Sequence, residues 1–258
     1  MPTASPAFAV ELFLEMVAAA RRGVPMTPRS ASDKEYFAQD WFIDRLQALS
    51  LPFEQQGRNS YPDFWVGTAP REGFEIKSLA FANGRPARKD IDFNSTIPSG
   101  IKQDNAVFLV FFLYTGSGAD PRSVHSLSVA HGDLINSDHQ LADEHLNVAV
   151  KEFGSYADGF IRNRKMYVFP HPITIDPSGL SRHRLIVPSA WKVQDERLKK
   201  VGSLTRTVAA EAVDRYTIRL RGRGQAEAVK TPSPDAGKAL QFDVFEAVPT
   251  ASPPGKKR

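Results

Sequence analysis

The chain has 258 residues, of which 41% are hydrophobic and 24% charged, and it carries a formal net charge of +4 at pH 7. A chain of this length and composition can bury a sizeable core, and its lack of cysteine excludes disulfides, thiolate metal sites and a cysteine nucleophile. Neither a secretory signal nor an apolar run of the roughly 18 to 20 residues that span a bilayer is present, so we expect a cytoplasmic protein without a membrane partner.

Two helices are predicted at the start of the chain. Residues 7–22 are apolar and end in basic residues before a glycine, which is typical of a helix that packs on a core. The second helix is predicted over residues 32–49, before a proline. The spacing of Ser32 and Glu35 matches a capping box, in which the Glu35 side chain accepts a hydrogen bond from the Ser32 amide.

Residues 61–67 and 73–78 are predicted to form a β-hairpin. Both runs are rich in strand-forming residues, and the polar, proline-containing connector between them has a length that joins antiparallel neighbours. Because successive side chains of a strand point to opposite faces, Glu75 and Lys77 share one face. Pairing across the connector would bring Asp63 near Glu75, so three charged groups are predicted to converge beside apolar strands.

Two carboxylates and an ammonium group in this arrangement suit the hydrolysis of a phosphodiester. The carboxylates can hold Mg²⁺ through hard oxygen ligands, which leaves coordination positions for water and a phosphate oxygen. The ammonium group can orient the attacking water and stabilise charge on the phosphate in the transition state. The alternative interpretation is a solvated hairpin with alternating charge.

Pro62-Asp63 followed by Glu75-Ile76-Lys77 resembles the motif of the PD-(D/E)xK nuclease superfamily, the fold of most type II restriction endonucleases. The resemblance implies an α/β fold with a restriction-endonuclease-like mixed β-sheet flanked by helices. It implies metal ligands at Asp63 and Glu75, a catalytic lysine at Lys77 and Mg²⁺ as the cofactor. It also implies double-stranded DNA as the partner, a prokaryotic cytoplasm and, for a palindromic target, a homodimer.

The same resemblance gives Glu35 a second candidate role. In several restriction endonucleases a glutamate on the helix before the Pro-Asp strand approaches the metal site, and Glu35 is similar in position. The apolar residues Phe42 and Leu46 lie on nearly the same side of the predicted helix, so Glu35 borders its buried face. The sequence leaves the capping role and the catalytic, metal-site role both open.

Two polar and basic segments are candidates for DNA contact. Residues 83–102 form a long polar stretch without helical or strand periodicity, just after the predicted catalytic strand. Residues 153–165 interleave aromatic residues, glycines and bases and are the second choice. The candidate DNA-binding residues of the two segments are Arg88, Lys89, Asn94, Lys102, Arg162 and Arg164.

The remaining segments are predicted to complete the sheet. Residues 106–114 are continuously apolar, which favours a central strand buried on both faces beside the Glu75 strand. Further strands are predicted at 123–130, 166–169, 184–187 and 240–248, of which 166–169 and 184–187 are expected at sheet edges. A helix is predicted over 195–216, a linker over 222–238 and a flexible basic tail over 249–258.

The predicted organisation is an endonuclease domain over residues 1–222 with embedded DNA-recognition elements, followed by a linker, a candidate strand and a tail over 223–258. The predicted function is that of a Mg²⁺-dependent, sequence-specific double-strand DNA endonuclease of the type II restriction class. The alternatives are a structure-specific or repair nuclease, or a resolvase, of the same superfamily, and a non-catalytic DNA-binding module with this fold. An unrelated protein with a fortuitous hairpin is a further alternative.

Overall fold

A computed structural model describes residues 6–33, 35–57, 60–87, 90–94, 99–136, 146–147, 162–163, 166–170, 182–221 and 225–249. The helices of these residues are α1 (Ala7–Arg21), α2 (Tyr36–Ala48) and α3 (Gly132–Asn136). The strands are β1 (Phe53–Gln55), β2 (Phe64–Val66), β3 (Glu72–Ala82), β4 (Arg85–Pro86), β5 (Asp90–Asn94), β6 (Ile101–Lys102), β7 (Asn105–Thr115), β8 (Ser123–His131), β9 (Leu146–Asn147), β10 (Arg162–Asn163), β11 (Met166–Pro170), β12 (His183–Pro188), β13 (Leu198–Thr207), β14 (Val213–Arg221), β15 (Gln225–Pro232) and β16 (Ala239–Ala247). None of the helices within the described ranges is both long and apolar enough to cross a bilayer.

One large mixed β-sheet organises the described part of the chain. Its strands follow the order β1-β2-β3-β7-β8-β12-β16-β13, with β4 paired to β3 and β6 paired to β7. The β3–β7 and β8–β12 pairs are parallel, whereas the other pairs along this path are antiparallel. The fold is therefore mixed α/β, with a large mixed sheet and few helices.

Helices α1 and α2 cover one face of the sheet. Helix α1 is rich in alanine, leucine and phenylalanine, buries Leu12, Phe13 and Met16, and is followed by Gly23, whose φ of 72° lies in the left-handed region. In α2 the centre of the Phe42 ring lies 5.2 Å from that of Phe64 on β2 and 5.6 Å from that of Phe74 on β3. These aromatic contacts fix α2 over the β2–β3 hairpin.

A second apolar cluster lies on the other face of the sheet. It contains Leu109 and Phe111 of β7, Ile186 of β12, and Leu134 and Ile135 of α3. Strand β7 contributes alternate residues to this cluster and to the cluster beneath α1 and α2. A continuously apolar sequence is therefore required there, and the prediction of a central strand buried on both faces is confirmed.

Several predicted elements are confirmed. The first helix, the strand over 123–130 and the strand over 240–248 all form, with ends shifted by one residue. The predicted hairpin forms from β2 and the start of β3, and β7 pairs beside β3 as expected. These elements share strong local signals, namely a helical alanine-rich run, a two-residue alternation or a long apolar run.

The predictions for the last third of the chain are partly wrong. The helix predicted over 195–216 is replaced by β13 and by the start of β14, because β13 pairs along its length with β16. Part of the linker predicted over 222–238 forms β15, which pairs with β14. Strand β12 is an interior strand, since it lies between β8 and β16. The boundary predicted between residues 222 and 223 falls between the paired strands β14 and β15, and β16 lies within the main sheet.

The long polar stretch over 83–102 contains short strands although its sequence has no strand periodicity. Strands β4, β5 and β6 lie in this segment and pair with β3, β11 and β7, respectively. Each is short, between two and five residues, so its sequence shows little periodicity.

Candidate active site

Asp63 is held at the edge of the β2–β3 hairpin. It immediately precedes β2, and the pairing of Phe64 with Phe74 places it across from Glu75. The main-chain N–H of Ile76 donates a hydrogen bond of 2.8 Å to Asp63 Oδ2. The Asp63 carboxylate is therefore fastened directly to the strand that carries Glu75 and Lys77, as the hairpin prediction required.

Glu75 and Lys77 form an ion pair on the face of β3 that looks away from α1 and α2. In the parallel register they pair with Leu109 and Phe111, which belong to the second apolar cluster. Lys77 Nζ lies 2.8 Å from Glu75 Oε1. Glu75 is only 6% exposed, and its buried Oε2 has no hydrogen-bond donor within the described residues. One carboxylate oxygen is thus occupied by the lysine, while the other lacks a donor.

The two carboxylates act on each other electrostatically. Burial and, next, the charge of Glu75 raise the pKa of Asp63 to about 7, although the hydrogen bond from Ile76 and the charge of Lys77 act to lower it. The Asp63 carboxylate therefore takes up a proton near neutral pH. A divalent cation between the carboxylates would relieve the same repulsion and displace that proton.

Lys77 keeps its proton in this environment. Burial lowers the pKa of an ammonium group, but the charge of Glu75, the hydrogen bond to it and the charge of Asp63 outweigh burial and raise the pKa of Lys77 above its ordinary value. Lys77 is consequently a fixed positive charge and a hydrogen-bond donor at neutral pH.

Glu35 lies next to α2 without capping it through its side chain. The helix begins at Tyr36, and the Glu35 side chain makes no capping hydrogen bond. Asp33 has this role, because its Oδ1 accepts hydrogen bonds from the main-chain N–H groups of Glu35 and Tyr36 at 3.0 and 2.8 Å. The predicted capping box between Ser32 and Glu35 is therefore wrong.

The position of Glu35 is compatible with its second candidate role, which is at the metal site. After burial and Glu75, the charge of Glu35 contributes to the raised pKa of Asp63, and it also contributes to that of Lys77. Glu35 is exposed and near enough to act on both groups. Its participation in chemistry stays a prediction.

The donor set fits a hard divalent cation that keeps part of its water shell. Within the described ranges, no group of three or more histidine, aspartate or glutamate residues is arranged to hold a metal ion. Mg²⁺ does not need such a cage, since it commonly binds through one or two carboxylates together with waters and phosphate oxygens. Asp63 and the donor-free Oε2 of Glu75 provide this smaller set.

Of the six candidate DNA-binding residues, Lys102 is the one whose side chain is described. Its ammonium group donates a hydrogen bond to the main-chain carbonyl of Tyr61, two residues before Asp63. Asn94 ends β5 and Arg162 begins β10, and the positions of their side chains lie outside the description. Arg88, Lys89 and Arg164 lie outside the described residues. DNA binding by all six stays a prediction.

Sequence reasoning missed a polar pocket beside the hairpin. This pocket, called the Lys102 pocket below, has a volume of about 470 Å³, and its lining includes Gln56, Trp65, Arg71, Lys102 and Gln103. The Arg71 guanidinium lies 4.3 Å from the centre of a Trp65 ring. Besides Lys102, already a candidate for DNA contact, the signal in the sequence was Arg71 in the hairpin connector, and such a basic residue is more often simply exposed to solvent.

No protein-family model matches the chain, and no curated protein shows significant similarity to it.

Proposed function

We propose that the chain is a Mg²⁺-dependent endonuclease that hydrolyses double-stranded DNA, like the type II restriction enzymes that its Pro62-Asp63 and Glu75-Ile76-Lys77 motif resembles. The observation that carries the proposal is the convergence of Asp63, Glu75 and Lys77 at the end of the hairpin away from its connector. A solvated hairpin would leave Glu75 in water, whereas Glu75 is buried beside an apolar cluster. The mixed sheet with α1 and α2 on one face supports a restriction-endonuclease-like fold.

In the proposed reaction, water attacks the scissile phosphorus in line with the leaving group. The bond between phosphorus and the 3′ oxygen breaks, which leaves a 5′-phosphate and a 3′-hydroxyl. Asp63 and Glu75 Oε2 would hold Mg²⁺, which supplies charge neutralisation on the phosphate and lowers the pKa of a bound water. Lys77, anchored by Glu75 and protonated, donates a hydrogen bond to the attacking water or to a phosphate oxygen and stabilises the transition state.

A DNA-binding module that has kept the fold without catalysis is the main competitor from another class. Its surface should attract phosphate, yet two adjacent carboxylates repel phosphate unless a cation lies between them. The Asp63 and Glu75 pair therefore favours the enzyme. If the target is palindromic, the proposal includes a homodimer whose two-fold axis matches that of the site.

The test is incubation of the purified protein with phage-sized DNA in Mg²⁺ and, separately, in EDTA. We expect discrete fragments with Mg²⁺ alone, and we expect Lys77→Ala to abolish cleavage while DNA binding persists in a gel shift. The matched control is Lys199→Ala, an exposed lysine on β13 at the far edge of the sheet. This variant should cleave like the wild type.

Three other outcomes would change the proposed function or the role of Lys77. Cleavage only at branched or damaged DNA would move the assignment to a resolvase or repair nuclease. A gel shift without cleavage in any divalent metal would indicate the binding module. Full activity of Lys77→Ala would remove Lys77 from the active site.

A further inference from the structure

The Lys102 pocket is connected to the candidate active site through the main chain. The N–H of Gln56, in its lining, donates a hydrogen bond of 2.7 Å to the carbonyl oxygen of Asp63. Tyr61 and Trp65, which also line the pocket, lie two residues before and two residues after Asp63. A ligand in this pocket would therefore lie beside the segment that carries the Asp63 carboxylate.

Two cations of the pocket are held in place and keep donors for a ligand. Lys102 gives one of its three ammonium hydrogens to the Tyr61 carbonyl. Arg71 stacks on Trp65 and donates one hydrogen bond of 2.8 Å to Gln103 Oε1. Within the described residues, these are the side-chain hydrogen bonds of the two cations, so both retain donors that suit a phosphate oxygen.

The remaining lining suits the edge of a nucleobase. The amides of Gln56 and Gln103 provide both donors and acceptors, and the carboxylate of Glu54 accepts from an amino group or a sugar hydroxyl. The volume of about 470 Å³ is within the range of small-molecule sites and far exceeds that of a lone phosphate. Phosphate donors and base-edge groups together match one whole nucleotide.

We propose that the Lys102 pocket binds one unpaired nucleotide of the DNA substrate next to the scissile phosphate. Its phosphate lies on Lys102 and Arg71, and its base edge pairs with Gln56, Gln103 or Glu54. This proposal rests on the proposed function. A base inside a duplex cannot enter the pocket without leaving its stack, which costs a few kcal/mol and costs least where the base is already unpaired. The protein should therefore prefer DNA with an unpaired nucleotide.

The test measures binding without cleavage. Two fluorescently labelled duplexes, identical except for one unpaired nucleotide, are titrated with the protein in Ca²⁺, which binds carboxylate oxygens as Mg²⁺ does, and followed by fluorescence anisotropy. We expect the wild type to bind the DNA with the unpaired nucleotide about tenfold more tightly, a difference of about 1.4 kcal/mol. Lys102→Ala and Arg71→Ala should weaken binding and reduce the preference. Gln56→Ala, which changes no charge, should reduce the preference while binding to the full duplex persists.

Lys199→Ala is again the matched control, and a thermal melt of each variant checks that the fold is retained. Equal binding of both duplexes by the wild type, or no binding of either, would overturn the pocket assignment. The same holds if Lys102→Ala and Lys199→Ala behave alike. A protein that cleaves DNA in Mg²⁺ but shows no preference would keep the proposed function without the pocket. A preference without cleavage would keep the pocket and remove the nuclease.

Discussion

Asp33 and Glu35, two residues apart at the start of α2, have separate tasks. Asp33 is buried and its carboxylate accepts hydrogen bonds from three main-chain N–H groups, those of Arg29, Glu35 and Tyr36. These bonds lower the pKa of Asp33 despite the opposing effect of burial. Glu35 is exposed and acts on the candidate site through its charge.

This division predicts different effects for two substitutions. Asp33→Ala should lower the free energy of unfolding by about 1 kcal/mol, the usual cost of losing a helix cap. Glu35→Gln should leave stability nearly unchanged and slow DNA cleavage. Urea unfolding and single-turnover cleavage of both variants make the comparison. Equal destabilisation by the two substitutions would return the capping role to Glu35.

At the scale of elements, β3 joins α1 to the candidate site. Its first residue, Glu72, accepts hydrogen bonds from the N–H groups of Phe8 and Ala9 at 3.3 and 2.7 Å. Burial raises the pKa of Glu72 to about 7, against these hydrogen bonds, which lower it. The same strand presents Glu75 and Lys77 on its other face, so the position of α1 is tied to the strand that carries the chemistry.

The raised pKa of Glu72 makes stability depend on pH with a definite sign. Between the ordinary value of 4.5 and about 7, the folded state holds a proton that the unfolded state has released. Stability from this group is therefore full below pH 4.5 and is lost as pH rises to about 7. The loss is up to about 3 kcal/mol at 1.36 kcal/mol per pKa unit.

Glu72→Gln provides the measurement, because glutamine does not titrate. Urea unfolding of the wild type and of this variant is measured between pH 4.5 and pH 8. The free energy of unfolding of the wild type should fall relative to that of the variant as pH rises. Lys199→Ala, which leaves this carboxylate in place, should follow the wild type across the range. A difference between wild type and Glu72→Gln that stays constant with pH would contradict the raised pKa.

The candidate site was more predictable from sequence than the last third of the fold. Strand alternation alone puts Glu75 and Lys77 on one face, and the short connector brings Asp63 opposite Glu75. Strand β13, in contrast, has basic residues and a register shift next to Gly202, which break the two-residue alternation. Its strand conformation depends on pairing with β16, about 40 residues later, and no local pattern reports that pairing.

Glu35 and Arg71 show the same limit for single residues. The capping-box spacing was satisfied in sequence, but the main chain starts the helix later, so Asp33 is the residue in reach of the free N–H groups. Arg71 belongs to a pocket only because β1, β2 and the segment near Lys102 meet there. Such meetings depend on tertiary structure and have no signature along the chain.

At the scale of the whole molecule, β16 holds one end of the sheet together. It pairs with β12 on one side and β13 on the other, and it buries Phe242 and Val244 in the second apolar cluster. Without it, β12 and β13 would each lose a strand partner along most of their length. The main sheet should therefore depend on residues beyond the sequence-predicted boundary at residue 222.

Truncation tests this dependence directly. A chain that ends at residue 222 should lose cooperative unfolding, because it lacks β15 and β16. A control that ends at Pro249 retains both strands and should unfold like the full chain. Thermal unfolding followed by circular dichroism compares them. Cooperative, wild-type-like unfolding of residues 1–222 would support an independent domain with that boundary.

The late position of β16 in the chain also has a consequence for folding during synthesis. Translation releases β12 and β13 from the ribosome before β16. Both strands therefore lack this pairing partner until β16 has been made. Asp63, Glu75, Lys77 and the residues of the Lys102 pocket lie in or before β7, which ends at Thr115. A nascent chain translated through β8 already contains each of these groups and the strands that position them. The end of the sheet that carries the candidate active site can thus assemble first, while the strands of the opposite end are still being translated.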